Sequence, residues 1–288
     1  MPTITKQAAV TPKRNGKAVG VLDRIRPISF EDEGLKVLLY GGSGSGKTTL
    51  AGTFPGKILW IICSGGMKPG ELRSLDDPDH RKKVSQVVLE ASAEIKTIVE
   101  HIAETGAYAT VVLDHVSGLQ DLTLKEILGL EELPAQKSWG LATQAQYGQS
   151  TLQCKEMLRA LLNLSGNVVI VAQERVFGGK DDGMESEIIK PTVGAAVTPS
   201  LAGWLNPACD FVLHMFKRPI THKEEIVLNG KGSGKFLETR GKGVEFCART
   251  EPHDVYMTKF RVPRGHVIPE YVPNPTYDKL LKIIKGVK

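Results

Sequence analysis

Cysteine is scarce in this 288-residue chain, and its four copies (Cys63, Cys154, Cys209, Cys247) stand far apart with no C-x-x-C pair. That spacing argues against a zinc knuckle and a disulfide framework, and it fits a reducing compartment. Long apolar runs are also missing. No stretch approaches the roughly 18 consecutive apolar residues of a membrane span, and the N-terminus has no apolar signal core. A cytoplasmic chain with no membrane attachment is the expectation. Aromatic residues make up only 6% and no internal repeat is visible. What is present, 41% hydrophobic and 24% charged residues in 31.3 kDa, is the composition of a globular protein with one main domain and a small appendage.

Charge is unevenly spread. Residues 1–20 carry Lys6, Lys13, Arg14 and Lys17 without an acid, residues 217–288 carry 15 basic against 8 acidic side chains, and the middle is acidic although the whole is +5. Basic ends on an acidic core suggest a polyanionic partner, with a solvated lysine-rich surface as the plainer alternative.

Residues 1–20 are polar and aperiodic and read as a disordered basic arm. From Leu35 the pattern sharpens. Val37–Tyr40 reads as a buried strand, followed by a glycine-rich turn, a short helix from Lys47 to about Phe54, and a second strand over Ile58–Cys63. Helical spacing of Val88, Ile95, Val99 and Ile102 predicts a helix within 85–105, stopped by Gly106. Val111–Leu113 reads as the third strand. Residues 149–163 form a helix with Leu152, Leu158, Leu161 and Leu162 largely on one face, and Val168–Ala172 is the fourth strand. This alternation predicts an α/β fold with a mostly parallel central sheet and helices on both faces. Short β-rich segments (Phe211–Met215, Ile226–Leu228, Val244–Ala248, Val255–Phe260) then predict an antiparallel extension of the same sheet. The domain is expected over 21–265, with 266–288 as an extension ending in a short amphipathic helix near Tyr277–Ile284.

The segment Gly41-Gly42-Ser43-Gly44-Ser45-Gly46-Lys47-Thr48, followed by Thr49, matches G-x-x-x-x-G-K-[ST] at every fixed position, after a strand and at the opening of a helix. Glycines let successive backbone N–H groups close around phosphate oxygens. The helix start favours the same anion, Lys47 would reach the β- and γ-phosphates, and the Thr48 hydroxyl would ligate Mg²⁺. Gly230–Lys235 is similar in composition, but Asn229 and Phe236 stand where a glycine and a hydroxyl are required, so it reads as a hairpin turn. Asp114, ending the third strand, is the candidate second Mg²⁺ group.

With the phosphate loop and the Asp114 strand, the sequence resembles the RecA-like P-loop ATPases, and within them the small phage-type nucleotide-binding proteins that include the RecA-like single-strand annealing ATPases. The resemblance spans about Val21 to Gly265. It implies ATP and Mg²⁺ as ligands, single-stranded DNA as partner, self-association into a ring or filament, and, for a phage-encoded chain, the bacterial host cytoplasm. It makes Gln173, after the fourth strand, the γ-phosphate switch residue. The following stretch, Val176 to about Val197, has no convincing strand or helix in its sequence. It corresponds to the DNA-contacting loop, with Arg175, Phe177, Lys180 and Lys190 as candidates, although Asp181, Asp182, Glu185 and Glu187 oppose that use. Lys259 and Arg261, spaced to share one strand face, match a pair that reaches the neighbouring subunit's γ-phosphate. Relatives carry a catalytic Glu after the second strand, where this chain has Ser64; the resemblance then implies either slow hydrolysis or substitution by Glu174 or His115.

The function expected is therefore an ATPase acting on single-stranded DNA in recombination or replication. The alternative is a nucleotide-switched interaction protein with weak or no hydrolysis and no DNA binding. A small-molecule kinase is less well supported, since no arginine-rich lid is visible.

Overall fold

The computed structural model describes residues 13–14, 17–18, 34–63, 69–131, 133, 142–178, 191–228 and 231–287. The chain divides into two compact units, 1–33 and 34–288. In the first, β1 (Lys13–Arg14) pairs antiparallel with β2 (Lys17–Ala18). The rest of the segment expected to be disordered, and Ser64, Lys180 and Lys190, lie outside the described residues.

The second unit is built on strands that are apolar without alternation. β4 (Ile58–Ile62), β6 (Thr110–Asp114) and β7 (Asn167–Ala172) are buried at every position, as central strands covered on both faces must be. With β3 (Lys36–Tyr40) and β5 (Val84–Val88), which follows the short α2 (Pro78–Lys83), they pair in parallel in the order β3-β7-β6-β4-β5. On the other side of β3, the start of β10 (Phe211–Leu228) adds a sixth parallel strand. β11 (Lys231–Arg249), β12 (Lys259–Phe260) and β13 (Tyr271–Pro273) complete the sheet as antiparallel strands. This is the expected mostly parallel α/β fold with an antiparallel C-terminal extension.

Alternate residues of each strand feed two cores. Leu38, Leu59, Ile61, Leu113 and Ile170 meet α3 (Glu94–Thr105), α4 (Val116–Leu128), α5 (Gln144–Leu162) and α6 (Pro199–Ala208). Val37, Leu39, Trp60, Val112 and Leu213 meet α1 (Lys47–Gly52) and α7 (Tyr277–Lys285). Each fully buried Leu, Ile or Val contributes about 1.5–3 kcal/mol, offset by chain entropy of similar size. The amphipathic helix expected at the C-terminus is α7. Leu280 is buried and the Tyr277 ring lies 5.0 Å from that of Phe54, so this segment packs as part of unit 34–288.

Several details differ from the sequence reading. Val88 belongs to strand β5, and the helix starts only at Glu94; pairing with β4 decides the conformation of the β-branched Val87-Val88 pair, whose helical spacing from Ile95 is incidental. The short C-terminal segments merge into the long β10 and β11 strands, with Lys231–Lys235 of the second glycine-rich run opening β11 and Gly230 outside the described residues, whereas only Lys259–Phe260 of 255–260 is strand. Leu152 is 68% exposed rather than on the buried face of α5 with Leu158 and Leu161.

Gly118, in the first turn of α4, shows how tightly the layers meet. A Cβ there would stand 1.7 Å from the Cys63 carbonyl oxygen, whereas one on Gly148 in α5 would meet nothing within 4 Å. Gly118→Ala should cost about 3 kcal/mol through overpacking against backbone. Gly148→Ala should stabilise by about 0.5–1 kcal/mol through helix propensity. Thermal melts of the two variants should move in opposite directions; a shared direction would contradict the packing described.

Candidate nucleotide site

The parallel ladders bring the candidate residues to one edge. Ile62 pairs with Asp114, Asp114 with Val171, Ala172 with Tyr40, and Tyr40 with His214. The glycine loop after Tyr40, Asp114, and Gln173 after Ala172 thus share the carboxyl end of the sheet, the usual ligand position in open α/β sheets.

The loop is closely held. Gly46 (φ 90°) occupies the left-handed region that excludes most side chains and caps α1, and a Cβ on Gly41 would stand 2.1 Å from the Met215 carbonyl oxygen. Lys47 is buried, and its Nζ donates to the Gly41 and Gly42 carbonyls at 2.7 and 2.8 Å. Burial pulls its ammonium below the ordinary lysine pKa, opposed by the carboxylates of Asp114 and Glu174. Ser45 Oγ is buried with no hydrogen-bond partner among the described residues. Ser43, Gly44 and Thr49 are exposed, with Gly42 and Thr48 half-buried.

Asp114 Oδ2 accepts from Trp60 Nε1 at 3.1 Å. Burial pushes its carboxyl above the usual range, against that hydrogen bond and the neighbouring His115 and Lys47. A cis peptide joins it to His115, whose Nδ1 accepts from Gly118 N at 3.0 Å and so caps α4. This commitment disfavours His115 as a base.

Glu174 is better placed. One of its oxygens, Oε1, would lie 3.3 Å from a Cβ on Gly42, and the other accepts from His214 Nε2 at 3.2 Å. His214 is buried, with ring neighbours Tyr256 at 4.0 Å and Phe216 at 5.7 Å. Gln173 is exposed, and its carbonyl accepts from Ala196 N at 2.8 Å.

Glu174 also opens β8 (Glu174–Phe177), which pairs with β9 (Thr192–Ala195). The stretch read as structureless therefore leaves and re-enters the fold as an antiparallel ribbon. Arg175 and Phe177 alternate onto one face of it, the guanidinium 5.5 Å from the ring centroid.

Lys259 and Arg261 are placed differently from the expectation. Lys259 Nζ donates to the carbonyls of Asn206, Pro207 and Cys209 at 3.3, 2.9 and 2.6 Å, and Arg261 Nη1 pairs with Asp210 at 2.7 Å. Both cations serve the C-terminal end of α6, where free carbonyls attract positive charge. Asp210 N bonds to Lys36 O, at the opposite end of β3 from the glycine loop. Reaching a neighbour's phosphate would require breaking these contacts.

Sequence reasoning missed Trp60, His214, Lys217 and Phe246. His214 alone left a trace, as the polar residue inside the apolar run 211–215. A Cβ on Gly44 would lie 3.7 Å from Lys217 Nζ, and one on Gly46 would lie 3.1 Å from the Phe246 ring, so both residues lean on the loop.

Sheet order, closed glycine loop and strand-end aspartate define a P-loop nucleotide-binding protein. The sequence matches the AAA domain over residues 33–262, and the chain belongs to that family of P-loop ATPases. A KaiC-like protein from the hyperthermophilic archaeon Pyrococcus horikoshii OT3 is similar in structure, with 14% identity and a TM-score of 0.43 over 84% of this chain and 85% of that one. Comparison with curated proteins found no match. Among the described residues no helix is long and apolar enough to cross a membrane.

Burial holds the His214 imidazole below the ordinary histidine pKa of 6.5, with Glu174 pulling upward and Arg249 and His253 adding to the depression. As pH falls through about 6.5, the unfolded chain gains a proton that the folded chain resists, and stability is lost. His214→Gln removes this linkage. Its melting temperature should therefore fall less between pH 7 and 5.5 than that of the wild type; equal slopes would show that His214 does not carry the effect.

Proposed function

We propose that this protein binds ATP with Mg²⁺, hydrolyses it, and uses the cycle to handle single-stranded DNA in recombination or replication, annealing included. The loop accommodates a polyphosphate well. Its backbone is closed, Ser45 Oγ lacks a partner among the described residues, and the Lys47 amine rests on carbonyls that it can leave for phosphate oxygens. Thr48 and Asp114 would hold the Mg²⁺, which when bound neutralises charge on the phosphates.

Hydrolysis forms a bond from water oxygen to the γ-phosphorus and breaks the bond from that phosphorus to the β–γ bridging oxygen, giving ADP and phosphate. Glu174 orients the water and takes its proton; Lys47 stabilises charge on the phosphoryl oxygens. The reading is carried by one observation: Glu174 abuts Gly42 of the phosphate loop and is also the first residue of the ribbon bearing Arg175 and Phe177. A change at the γ-phosphate therefore bears on the residues proposed to meet DNA. Self-association is proposed from the resemblance alone; Lys259 and Arg261 are held within their own chain, and the groups assigned to the chemistry all belong to one subunit.

Lys47→Ala should reduce ATP binding or turnover about 100-fold or more while the melting temperature is kept. Asp114→Asn should weaken Mg²⁺-dependent nucleotide binding more than Mg²⁺-free binding in the same titration. Unchanged affinity and hydrolysis in the first, or equal loss under both conditions in the second, would remove the assigned roles.

ATPase rate measured with and without single-stranded DNA tests the partner. Stimulation that weakens with salt, and a roughly tenfold loss of oligonucleotide affinity in Phe177→Ala, are expected from phosphate attraction and base stacking. No binding at low salt with ATP and Mg²⁺ would favour a nucleotide-switched interaction protein instead.

A further inference from the structure

The side chains of β10 alternate, so Phe211, Leu213, Met215 and Lys217 share one face. The first three are buried in the core that covers α1. On β11, Ala248 belongs to the same core and Phe246 continues its face; Phe246 stands directly opposite Lys217 across the hairpin. The apolar surface over α1 thus ends at Met215 and Ala248, and the next position on each strand lies level with the phosphate loop.

Two residues there are unusual for a surface that only covers protein. Phe246 is 38% exposed although its ring rests on Gly46. Lys217 is exposed with its Nζ beside Gly44, and it makes no ion pair with a carboxylate among the described residues. Its neighbour Arg218 shows the contrast. That guanidinium is bound to Glu245 at 2.5 Å and packs on the Tyr271 ring, and alternation gives it the opposite face of the strand. Of two adjacent cations, one is fixed in the fold and the other is left at the loop.

We propose that Lys217 is a second cation for the terminal phosphates of the bound nucleoside triphosphate, supplied by the same chain as the loop. The proposal rests on the phosphate-loop reading above. Lys47 approaches the phosphates from within the loop, and charge on the outer oxygens calls for a cation from the open side. Lys217 stands on that side with no competing carboxylate among the described residues. It fills the part for which the sequence offered Lys259 and Arg261, both engaged at the other end of β3. Phe246, packed on Gly46, keeps the hairpin seated against the loop.

The test is a set of calorimetric titrations of ATP, AMP and inorganic tripolyphosphate into wild type, Lys217→Ala, Lys217→Arg and Lys47→Ala, with melting curves to show that each variant folds. Lys217→Ala should weaken ATP and tripolyphosphate about tenfold, the scale of one charge-assisted hydrogen bond, and leave AMP within about twofold. Lys217→Arg should restore most of the loss, and the difference between Ala and wild type should shrink as salt rises. Wild-type affinity for tripolyphosphate in Lys217→Ala, with loss in Lys47→Ala, would overturn the role of Lys217 alone. Wild-type affinity in Lys47→Ala would overturn the phosphate-loop reading itself. An equal loss for AMP and ATP would place Lys217 at the nucleoside end and also refute the proposal. A mixture of Lys47→Ala and Lys217→Ala should hydrolyse ATP no faster than the sum of the two variants measured alone, because each cation serves its own subunit's site; a rate above that sum would overturn the within-chain assignment.

Discussion

Everything at the carboxyl edge of this sheet depends on parallel ladders that keep their register across β4, β6, β7, β3 and the start of β10. Because the pairings Ile62–Asp114, Asp114–Val171, Ala172–Tyr40 and Tyr40–His214 hold together, Asp114, Glu174, His214 and the glycine loop arrive at one level. A slip of one residue in any ladder would turn a strand's side chains to the opposite face. Inner strands that are buried at every position and largely apolar tolerate the two-sided burial this arrangement imposes, while close layer contacts, such as Gly118 on the Cys63 carbonyl, leave little room for displacement.

The resulting site is electrostatically tense. Burial works against the charged forms of both Lys47 and Asp114, so a cation and an anion are held where each is less favourable than in water. A ligand that brings negative phosphates to Lys47 and a divalent cation to Asp114 relieves both. Preorganisation of this kind is what phosphoryl transfer requires, since little reorganisation is left for the reaction itself.

Much of this was legible in the sequence, because the phosphate loop, the apolar strands and Asp114 are local patterns. The order of the inner strands follows from right-handed crossovers only in outline, and, His214 apart, the residues brought in by the long hairpin left no local trace. Lys217 and Phe246 lie about 170 and 200 residues from the loop they touch, a meeting that depends on β10 pairing with β3 and folding back as β11. Lys259 and Arg261 show the opposite limit. Their spacing correctly implied a shared face, yet nothing local could show that the carbonyls ending α6 and the Asp210 carboxylate occupy that face. The β8–β9 ribbon was missed because Glu174–Phe177 and Thr192–Ala195 are too short and too polar to signal strands alone.

The β10–β11 hairpin is a lever. Only its first residues are anchored beside β3, from Phe211 to His214, and the register shifts between Pro219 and Thr221, just past the loop contact. From Lys217 to Leu228 the strand extends roughly 35 Å at about 3.3 Å per residue. A tilt of roughly 5° at the loop would sweep the far end through about 3 Å. Such a tilt would carry a local difference at the phosphate loop to a point far from the chemistry, as a displacement as large as a hydrogen bond is long.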